Sequence, residues 1–210
     1  MPVAPAQAAR AAAQGVVVAG VAVAVAIGAG PARIERDASF VNALAQPVWQ
    51  PAYIGLGSNL NEPRTQVLSA VEKLRSLPGG TTRVIAVSRL YGSKPFGPVK
   101  QADFVNAVVG VLTQLDSPAL LREMHAIEHA LGRPEKHEHW GPRIIDLDLL
   151  VFGRERRADP ALTIPHPGIV ERNWVLYPLA DIAPSLDIPG LGPVAALKGS
   201  IAPEGLWPLS

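Results

Sequence analysis

The chain contains no cysteine among its 210 residues. This absence excludes disulfide bonds, thiolate-bound zinc, iron–sulfur clusters and a cysteine nucleophile, and it fits a reducing compartment. An excess of charge of one sign is also missing, because 19 Lys and Arg residues balance 18 Asp and Glu residues. A net charge near zero provides no field that would attract a nucleic acid or an acidic membrane surface. We therefore expect no nucleic-acid partner.

Two phosphate-binding motifs are missing as well. No segment matches G-x-x-x-x-G-K-[ST], and Gly55-Leu56-Gly57 lacks the third glycine of G-x-G-x-x-G, so P-loop and dinucleotide-binding folds are disfavoured. Two interpretations remain open for Gly55 and Gly57. They form either a turn whose backbone closely approaches a ligand or a simple strand-to-helix turn.

The N-terminal 50 residues differ in composition from the rest. Residues 11–30 are uncharged and consist mostly of Ala, Val and Gly, which is long enough for a membrane-spanning helix or part of a signal peptide. Ala and Gly contribute little transfer free energy, so a membrane role is the less favoured interpretation. We expect residues 1–50 to be a poorly ordered extension and residues 51–210 to form a cytoplasmic domain.

Strand and helix patterns alternate after residue 51, and 48% of the chain is apolar, enough for a sizeable core. Period-two and 3.6-residue patterns, with proline and glycine at their ends, define the elements. The order β-α-β-β-α-β predicts an α+β fold, a ferredoxin-like plait with a C-terminal extension of short strands and helices. The predicted elements are strands at 53–56, 82–91, 104–115 and 144–152 and helices at 63–75 and 117–131, the latter capped by Ser117-Pro118.

Two aspartates interrupt the apolar strand predicted at 144–152. Asp146 and Asp148 share one face of that strand because strand side chains alternate with period two. Burying two bare carboxylates is costly unless a positive charge lies between them. Mg²⁺ prefers such hard oxygen ligands and completes its shell with water and phosphate oxygens, and Arg143 stands close by. The pair indicates a metal-phosphate site, with a solvated acidic edge strand as the alternative.

A zinc site is a second alternative. His125, Glu128 and His129 match H-x-x-E-H, which in some peptidases places two imidazoles on one helical face around zinc. His137 and His139 follow nearby. The pentapeptide arises easily by chance, and no downstream glutamate motif offers a further ligand.

Several separate motifs together resemble one enzyme family, the 6-hydroxymethyl-7,8-dihydropterin pyrophosphokinases of folate biosynthesis. The resemblance extends over about residues 52–189 and leaves the N-terminal 50 residues outside. It is carried by YIGLGSNL at 53–60, YGSKPFGP at 91–98, FVNA at 104–107, Glu128 with LGR at 131–133, WGPRIIDLDLL at 140–150, TIPH at 163–166 and RNWVLYPL at 172–179.

The resemblance implies transfer of the diphosphoryl group of ATP to the pterin hydroxymethyl group, with release of AMP. By similarity, Asp146 and Asp148 would hold two Mg²⁺ ions, and Arg133 and Arg143 would meet the phosphates. The implied ATP-binding residues are Glu128, Lys136, Trp140, Arg143, Thr163, His166 and Arg172. The implied pterin-binding residues are Ser93, Pro95, Phe96, Phe104, Asn106 and Trp174. The same resemblance implies a monomer with small-molecule substrates only.

Three positions depart from the family pattern. Glu135 and Ala161 stand where members often have a basic residue, and Ser93 replaces a commoner threonine. Phosphate affinity would then depend more on the remaining basic residues, with Lys94 and Lys100 in loops that could compensate. A catalytically idle binding module is a further alternative, although the presence of Asp146, Asp148 and Arg143 argues against it.

Overall fold

The structure is a computed structural model that describes residues 17–18, 21–22, 48–98, 100–134 and 141–210. Contacts divide the chain into two units, residues 1–46 and residues 47–210. In the first unit, β1 (Val17–Val18) pairs antiparallel with β2 (Val21–Ala22). The rest of the predicted extension up to residue 47 lies outside the described residues, and its last residue, Gln50, already begins β3 (Gln50–Ser58). Within the described residues, no helix combines the length and the apolar character needed to cross a membrane.

An antiparallel sheet of six strands forms the centre of the second unit. The strand order is β12-β5-β6-β3-β7, and β4 pairs with β6 on the same side as β5. One edge of β6 therefore pairs with two strands: Phe104 to Asn106 pair with β5, and Val109 to Thr113 pair with β4. The strands are β3 (Gln50–Ser58), β4 (Thr82–Val87), β5 (Tyr91–Ser93), β6 (Phe104–Thr113), β7 (Asp146–Phe152) and β12 (Leu206–Pro208).

Helices cover both faces of this sheet. One buried cluster joins α1 and α2 to β3, β6 and β7, and a second joins α3 and α4 to the opposite face. The helices are α1 (Pro63–Arg75), α2 (Ser117–Ala130), α3 (Asn173–Ile182) and α4 (Val194–Gly199), with 3₁₀ turns at Pro78–Gly80 and Pro167–Glu171. Short strand pairs complete the predicted C-terminal extension: β8 (Arg157–Asp159) with β9 (Leu162–Ile164), and β10 (Asp187–Ile188) with β11 (Gly192–Pro193).

The predicted helix at 63–75 is confirmed in its bounds. Pro63 lies in its first turn, where the missing N–H costs nothing. The apolar stripe, Val67, Val71 and Leu74, is buried against the sheet. The 3₁₀ turn at Pro78–Gly80 follows, with Gly79 at φ 77°. The prolyl and glycyl residues therefore end the helix as the sequence indicated.

Three local predictions are wrong. The strand expected at 82–91 ends at Val87. At the next residue the side chain takes the place of a backbone carbonyl group, because Ser88 Oγ accepts from Val108 N–H at 2.9 Å. Gly55 and Gly57 lie inside β3 and form no turn, since the left-handed turn comes later at Asn61 and Glu62 (φ 51° and 60°). The α2 cap is Asp116, whose carboxylate accepts from Ala119 N–H at 2.7 Å, in place of the predicted Ser117-Pro118.

Candidate active site

Asp146 and Asp148 lie next to each other on one face of β7. Leu147 and Leu149, on the other face, are buried in the core beneath α2. Each carboxylate lines two separate cavities, so β7 forms the boundary between them. The smaller cavity has about 770 Å³ of empty space and the larger about 1420 Å³, open mouths included. The prediction that the two aspartates share a face is confirmed.

Asp146 is bound by two guanidinium groups. Arg133 donates to Asp146 Oδ1 at 2.5 Å, and Arg143 donates to Oδ2 at 2.5 Å. Burial alone would raise the pKa of this carboxyl, but the charges and hydrogen bonds of the two arginines hold the pKa below its ordinary value. Asp146 therefore remains ionised over the whole range in which the protein would work.

Asp148 is less fully compensated. Arg172 Nη1 approaches its Oδ2 at 3.3 Å, and His166 Nε2 lies 3.8 Å from Oδ1. Burial and repulsion from Asp146 raise the pKa of Asp148, and the nearby cationic groups offset this only in part. Burial also lowers the pKa of His166. The His166 ring is oriented by Gly168 N–H, which donates to Nδ1 at 3.1 Å.

Glu128 is a third carboxyl at the boundary, and it is only 5% exposed. It accepts from Leu147 N–H at 2.7 Å and from the Arg133 guanidinium. Burial raises the pKa of Glu128 to about 7, although the hydrogen bond from Leu147 and the charge of Arg133 act in the opposite direction. Glu128 thus ties α2 to the backbone of β7 and fixes the position of Arg133.

The smaller cavity combines aromatic rings with bare backbone. The rings of Phe96 and Trp174 stand 5.5 Å apart between centroids and are inclined by 50°. Asn106 is buried on the adjacent strand, and its Nδ2 donates to Ser93 Oγ at 2.9 Å. A Cβ atom at Gly57 would lie 3.3 Å from Asn106 Oδ1, so the glycine leaves room beside this carbonyl oxygen. A flat heterocycle with polar edges fits such a lining.

The larger cavity is built mainly from α2 and the segment around β9. Thr163, His166, His125 and His129 contribute polar groups, and Glu128 and Arg133 lie at its inner end. Leu149, Leu162 and three prolines, Pro134, Pro160 and Pro167, supply its apolar walls. An extended ligand with a charged end would reach the Asp146–Asp148 boundary from this side.

Asn59 connects the end of β3 to the loop that carries Arg143. Its Oδ1 accepts from Arg143 N–H at 2.8 Å, and its own N–H donates to Arg143 O at 3.1 Å. Its Nδ2 donates to Gln101 Oε1 and Ala102 O at 2.9 and 3.1 Å. Sequence reasoning gave Asn59 no role, although it belongs to the YIGLGSNL motif at 53–60.

The structure brings most of the predicted site residues together. The smaller cavity is lined by Ser93, Phe96, Phe104, Asn106, Trp174, Arg143 and Arg172, and the larger by Glu128, Arg133, Thr163 and His166. Pro95 is half-buried in the loop between Ser93 and Phe96 and does not line the smaller cavity. Lys136, Trp140 and Glu135 lie outside the described residues. Lys94 lines the smaller cavity but pairs with Asp103 at 2.9 Å, and Ala161 lines the larger one.

The zinc alternative gains no support from the part of the chain that is described. His125 and His129 are exposed on α2, whereas the carboxylate of Glu128 is turned toward β7 and bound there. Among the described residues, no group of three His, Cys, Asp or Glu side chains is arranged to hold a metal ion. Glu128 therefore cannot act as a base beside a metal held by these two histidines.

The paired carboxylates themselves suit a hard divalent cation. Asp146 and Asp148 present oxygen ligands where the two cavities meet. Burial and repulsion from Asp146 raise the pKa of Asp148, and a cation between the two carboxylates would offset both effects. Three arginines, Arg133, Arg143 and Arg172, stand around the pair. A site of this kind defines a class of enzyme that transfers phosphoryl groups by positioning and charge neutralisation.

Comparison with known proteins identifies the family within that class. Residues 53–184 match the sequence model of 7,8-dihydro-6-hydroxymethylpterin-pyrophosphokinase. A Pseudomonas aeruginosa protein named 2-amino-4-hydroxy-6-hydroxymethyldihydropteridine pyrophosphokinase is 46% identical over 67% of this chain and 85% of its own length. A protein of the same name from Methylorubrum extorquens is 43% identical over 66% of this chain and 86% of its own length. The chain belongs to this pyrophosphokinase family.

Solved structures agree in fold. The crystal structure of HPPK-DHPS A437G from Plasmodium falciparum aligns with a TM-score of 0.58 and 16% identity, over 75% of this chain and 46% of that chain. The wild-type protein with pterin and p-hydroxybenzoate aligns with a TM-score of 0.57 and 16% identity, over 76% and 44% of the two chains. The chain thus corresponds to less than half of these longer proteins, and the likeness concerns the mixed α and β fold.

Proposed function

We propose that this protein transfers the diphosphoryl group of ATP to 6-hydroxymethyl-7,8-dihydropterin and releases AMP, a step of folate biosynthesis. Family membership and the names of relatives at 43–46% identity support this activity. The structural observation that supports this activity most directly is the position of Asp146 and Asp148, which line both cavities. Two substrates can therefore meet end to end at one pair of carboxylates.

The reaction needs no protein nucleophile. The hydroxyl oxygen of the pterin side chain attacks the β-phosphorus of ATP, and the bond from that phosphorus to the oxygen bridging the α-phosphorus breaks. AMP leaves with the bridging oxygen, and the hydroxyl proton passes to solvent. Catalysis of such a transfer rests on alignment of the two substrates and on stabilisation of the transferred charge.

The pterin occupies the smaller cavity in this proposal. Phe96, Phe104 and Trp174 stack on or enclose the ring, and Asn106, held by Ser93, reads its polar edge. Pro95 shapes the adjoining loop. The aromatic lining and the bare backbone at Gly55 and Gly57 suit a flat ring better than a phosphate chain.

ATP occupies the larger cavity, with its phosphates directed to the boundary. Thr163, His166 and Glu128 belong to its walls, and Arg133 lies at its inner end. Arg143 and Arg172 line the smaller cavity, but they pair with Asp146 and Asp148 at the boundary, where with Arg133 they neutralise the phosphates. Lys136 and Trp140 are proposed to complete this binding site. Because Glu128 and Asp146 both hold Arg133, its guanidinium is already oriented before ATP arrives.

Asp146 and Asp148 would hold two Mg²⁺ ions, which would supply the positive charge that offsets the phosphates. The chain's own residues prepare this arrangement. Arg143 and Arg133 keep Asp146 ionised, and Arg172 with His166 keeps Asp148 oriented toward the boundary. Metal loading would then require the arginines to exchange carboxylate partners for phosphate partners.

The sheet order supports a ferredoxin-like plait as the finer description of the fold. The strands β7, β3, β6 and β4 are adjacent in that order and antiparallel, and they follow the chain order β-α-β-β-α-β. We further propose that the enzyme is cytoplasmic, because ATP and a reduced pterin are cytosolic small molecules. That it is a monomer is proposed from the family resemblance.

Residues 1–49 of the N-terminal extension are proposed to be dispensable for the reaction. A chain beginning at Gln50 keeps the whole of β3 and both cavities. Its turnover should equal that of the full chain, and both should fractionate with the cytosol. Full-length protein in the membrane fraction, or loss of activity on truncation, would assign the extension a role.

Product analysis tests the function directly. The protein is incubated with ATP, Mg²⁺ and reduced 6-hydroxymethylpterin, and the nucleotide and pterin products are separated and quantified. We expect AMP and pterin diphosphate in equal amounts, with no AMP when the pterin is omitted. Release of ADP would show single phosphoryl transfer, and pterin binding without AMP would favour an idle binding module.

A further inference from the structure

Strand β12 (Leu206–Pro208) pairs with the strand that carries Ser93, although it lies beyond the segment matched by the family, residues 53–184. In β12, Leu206 faces Ser93 and Trp207 faces Gly92 across an antiparallel ladder. The contact continues on both sides of this ladder: Lys94 N–H donates to Gly205 O at 2.9 Å, and Leu209 N–H donates to Leu90 O at 2.8 Å.

Trp207 covers Gly92 so closely that no side chain fits between them. A Cβ atom at position 92 would lie 2.2 Å from the Trp207 ring, well inside van der Waals contact. The ammonium group of Lys94 lies 5.5 Å from the centroid of the same ring and also pairs with Asp103 at 2.9 Å. Trp207 therefore contacts the strand and the loop that bound the smaller cavity on one side.

Asn173 attaches the same C-terminal residues to the other side of that cavity. It is the first residue of α3 and precedes Trp174, which lines the cavity. Its buried side-chain amide donates to Ala202 O and to Glu204 O, both at 2.9 Å. Through these two hydrogen bonds, the amide fixes the path of the chain as it approaches β12.

We propose that residues 202–208 are a C-terminal strap that sets the distance between Ser93 and Trp174, and that Trp207 and Asn173 are positioning residues for the pterin. The inference rests on the proposed function and deepens it. Ser93 holds the buried Asn106, and Trp174 supplies a ring, so the strap connects the polar and the aromatic walls of the smaller cavity. It touches neither substrate itself.

Among the residues that the structure describes, the lining of the larger cavity includes no residue of β5 or α3, the elements that the strap holds. Its walls come from α2, the segment around Arg133, β7 and the segment 160–167. Loosening the strap should therefore weaken binding of the pterin and leave binding of ATP almost unchanged. This difference separates a positioning role from a general loss of stability, which would affect both substrates.

The test compares Trp207→Ala with a matched control, Trp49→Ala. Trp49 is also half-exposed and also carries a cation over its ring, with Arg83 4.6 Å from the centroid, but it lies at the far end of β3 from Gly57. We expect Trp207→Ala to raise KM for the pterin by roughly tenfold, a factor within reach of a displacement below 1 Å. Its KM for ATP should stay within about twofold, and Trp49→Ala should change neither constant.

Two further variants keep the test decisive if Trp207→Ala does not fold. Trp207→Phe retains a ring against Gly92 and should restore most of the pterin affinity. Gly92→Ala keeps the tryptophan but displaces it, and it should raise KM for the pterin as Trp207→Ala does. Equal changes in KM for the pterin and for ATP would overturn the proposed role of the strap. An unchanged KM for the pterin in both Trp207→Ala and Gly92→Ala would overturn it too.

A measurement that does not depend on turnover separates this inference from the proposed function. Hydrogen exchange of the Lys94 amide should be faster in Trp207→Ala and unchanged in Trp49→Ala, because that amide donates to Gly205. Wild-type protein that neither binds the pterin nor forms AMP would overturn the proposed function, and the strap's role in it, whatever the exchange rates. If the wild type is active and Trp207→Ala changes neither the exchange of the Lys94 amide nor the KM for the pterin, only the proposed role of the strap is overturned.

Discussion

The two cavities on either side of β7 are built in different ways. The smaller one has strand backbone, three aromatic side chains, a buried amide and the start of α3 in its described lining. The larger one has about twice the empty space and is lined by prolines, leucines and exposed polar groups. The contrast teaches that the smaller cavity selects a ligand by its shape and by the polar groups along its edge. The larger cavity accepts an extended ligand and fixes its charged end.

Asp148→Asn should have the largest effect, because this residue belongs to both cavities. Removing the charge leaves the shape of the smaller cavity intact but weakens the stabilisation of the transferred group. We expect kcat to fall by a factor on the order of 10²–10³, while the Kd of the pterin changes little. Steady-state kinetics and pterin binding measured in parallel would check this. A variant that turns over within a few-fold of wild type at saturating Mg²⁺ would contradict the metal assignment.

Arg143→Lys should have the next largest effect. Lysine keeps the positive charge near Asp146 but loses the planar pair of donors that suits a phosphate. We expect kcat/KM to fall roughly tenfold, which corresponds to about 1.4 kcal/mol. Comparable kinetics for the two side chains would show that only a point charge is needed at this position.

A crossed pair of variants would sharpen the difference between the cavities. Trp174→Ala should raise KM for the pterin by roughly tenfold, since it removes an aromatic surface from the smaller cavity. Thr163→Ala should raise KM for ATP by a smaller factor, since it removes one hydroxyl from the larger cavity. Each variant should leave the other substrate's KM almost unchanged. If both constants moved together, the two cavities would have to be one binding site.

The smallest predicted effect concerns the ion pair between Asp181 of α3 and Arg89, two residues before β5. Asp181 accepts from Arg89 at 2.8 and 3.0 Å and from the Tyr91 hydroxyl at 3.0 Å. Burial alone would raise the pKa of Asp181, but these hydrogen bonds hold the pKa below its ordinary value. A depressed folded-state pKa means that the stabilisation is complete above about pH 4 and is lost as the pH falls through the folded-state value.

Asp181→Asn should therefore lower Tm by about 2 °C at neutral pH, because the Arg89 partner is largely in solvent. The difference in Tm between wild type and variant should shrink below about pH 4. Thermal unfolding followed across that range would check both statements. A difference that grew toward acid would mean that the carboxyl is protonated in the folded protein.

The sequence predicted the parts of the fold and site that depend on local pattern. The 3.6-residue stripe of α1, its proline start and the glycines after it lie in one continuous segment, residues 63–80. The face shared by Asp146 and Asp148 follows from strand alternation alone. Resemblance to the family supplied the remaining site residues, and the structure assembles most of them around the two cavities.

The features that were missed depend on partners far away in the chain. The break after Val87 exists because Ser88 bonds to Val108, twenty residues later. Asn59 has its role only because residues 101, 102 and 143 come to it. The pairing of Trp207 with Gly92 joins positions more than a hundred residues apart. No periodicity encodes such contacts, since they follow from the three-dimensional order of the strands.

The position of β7 in the sheet has a consequence for synthesis on the ribosome. β7 begins 88 residues after the end of β3, the strand it must join. At roughly 5–20 residues per second, about 4–18 s pass between the emergence of the two strands. During that interval, β3 can pair with β6 on one side but exposes its other edge, including the backbone between Ile54 and Leu56. The nascent chain thus carries an unpaired, aggregation-prone strand edge until β7, with the two aspartates, emerges and covers it.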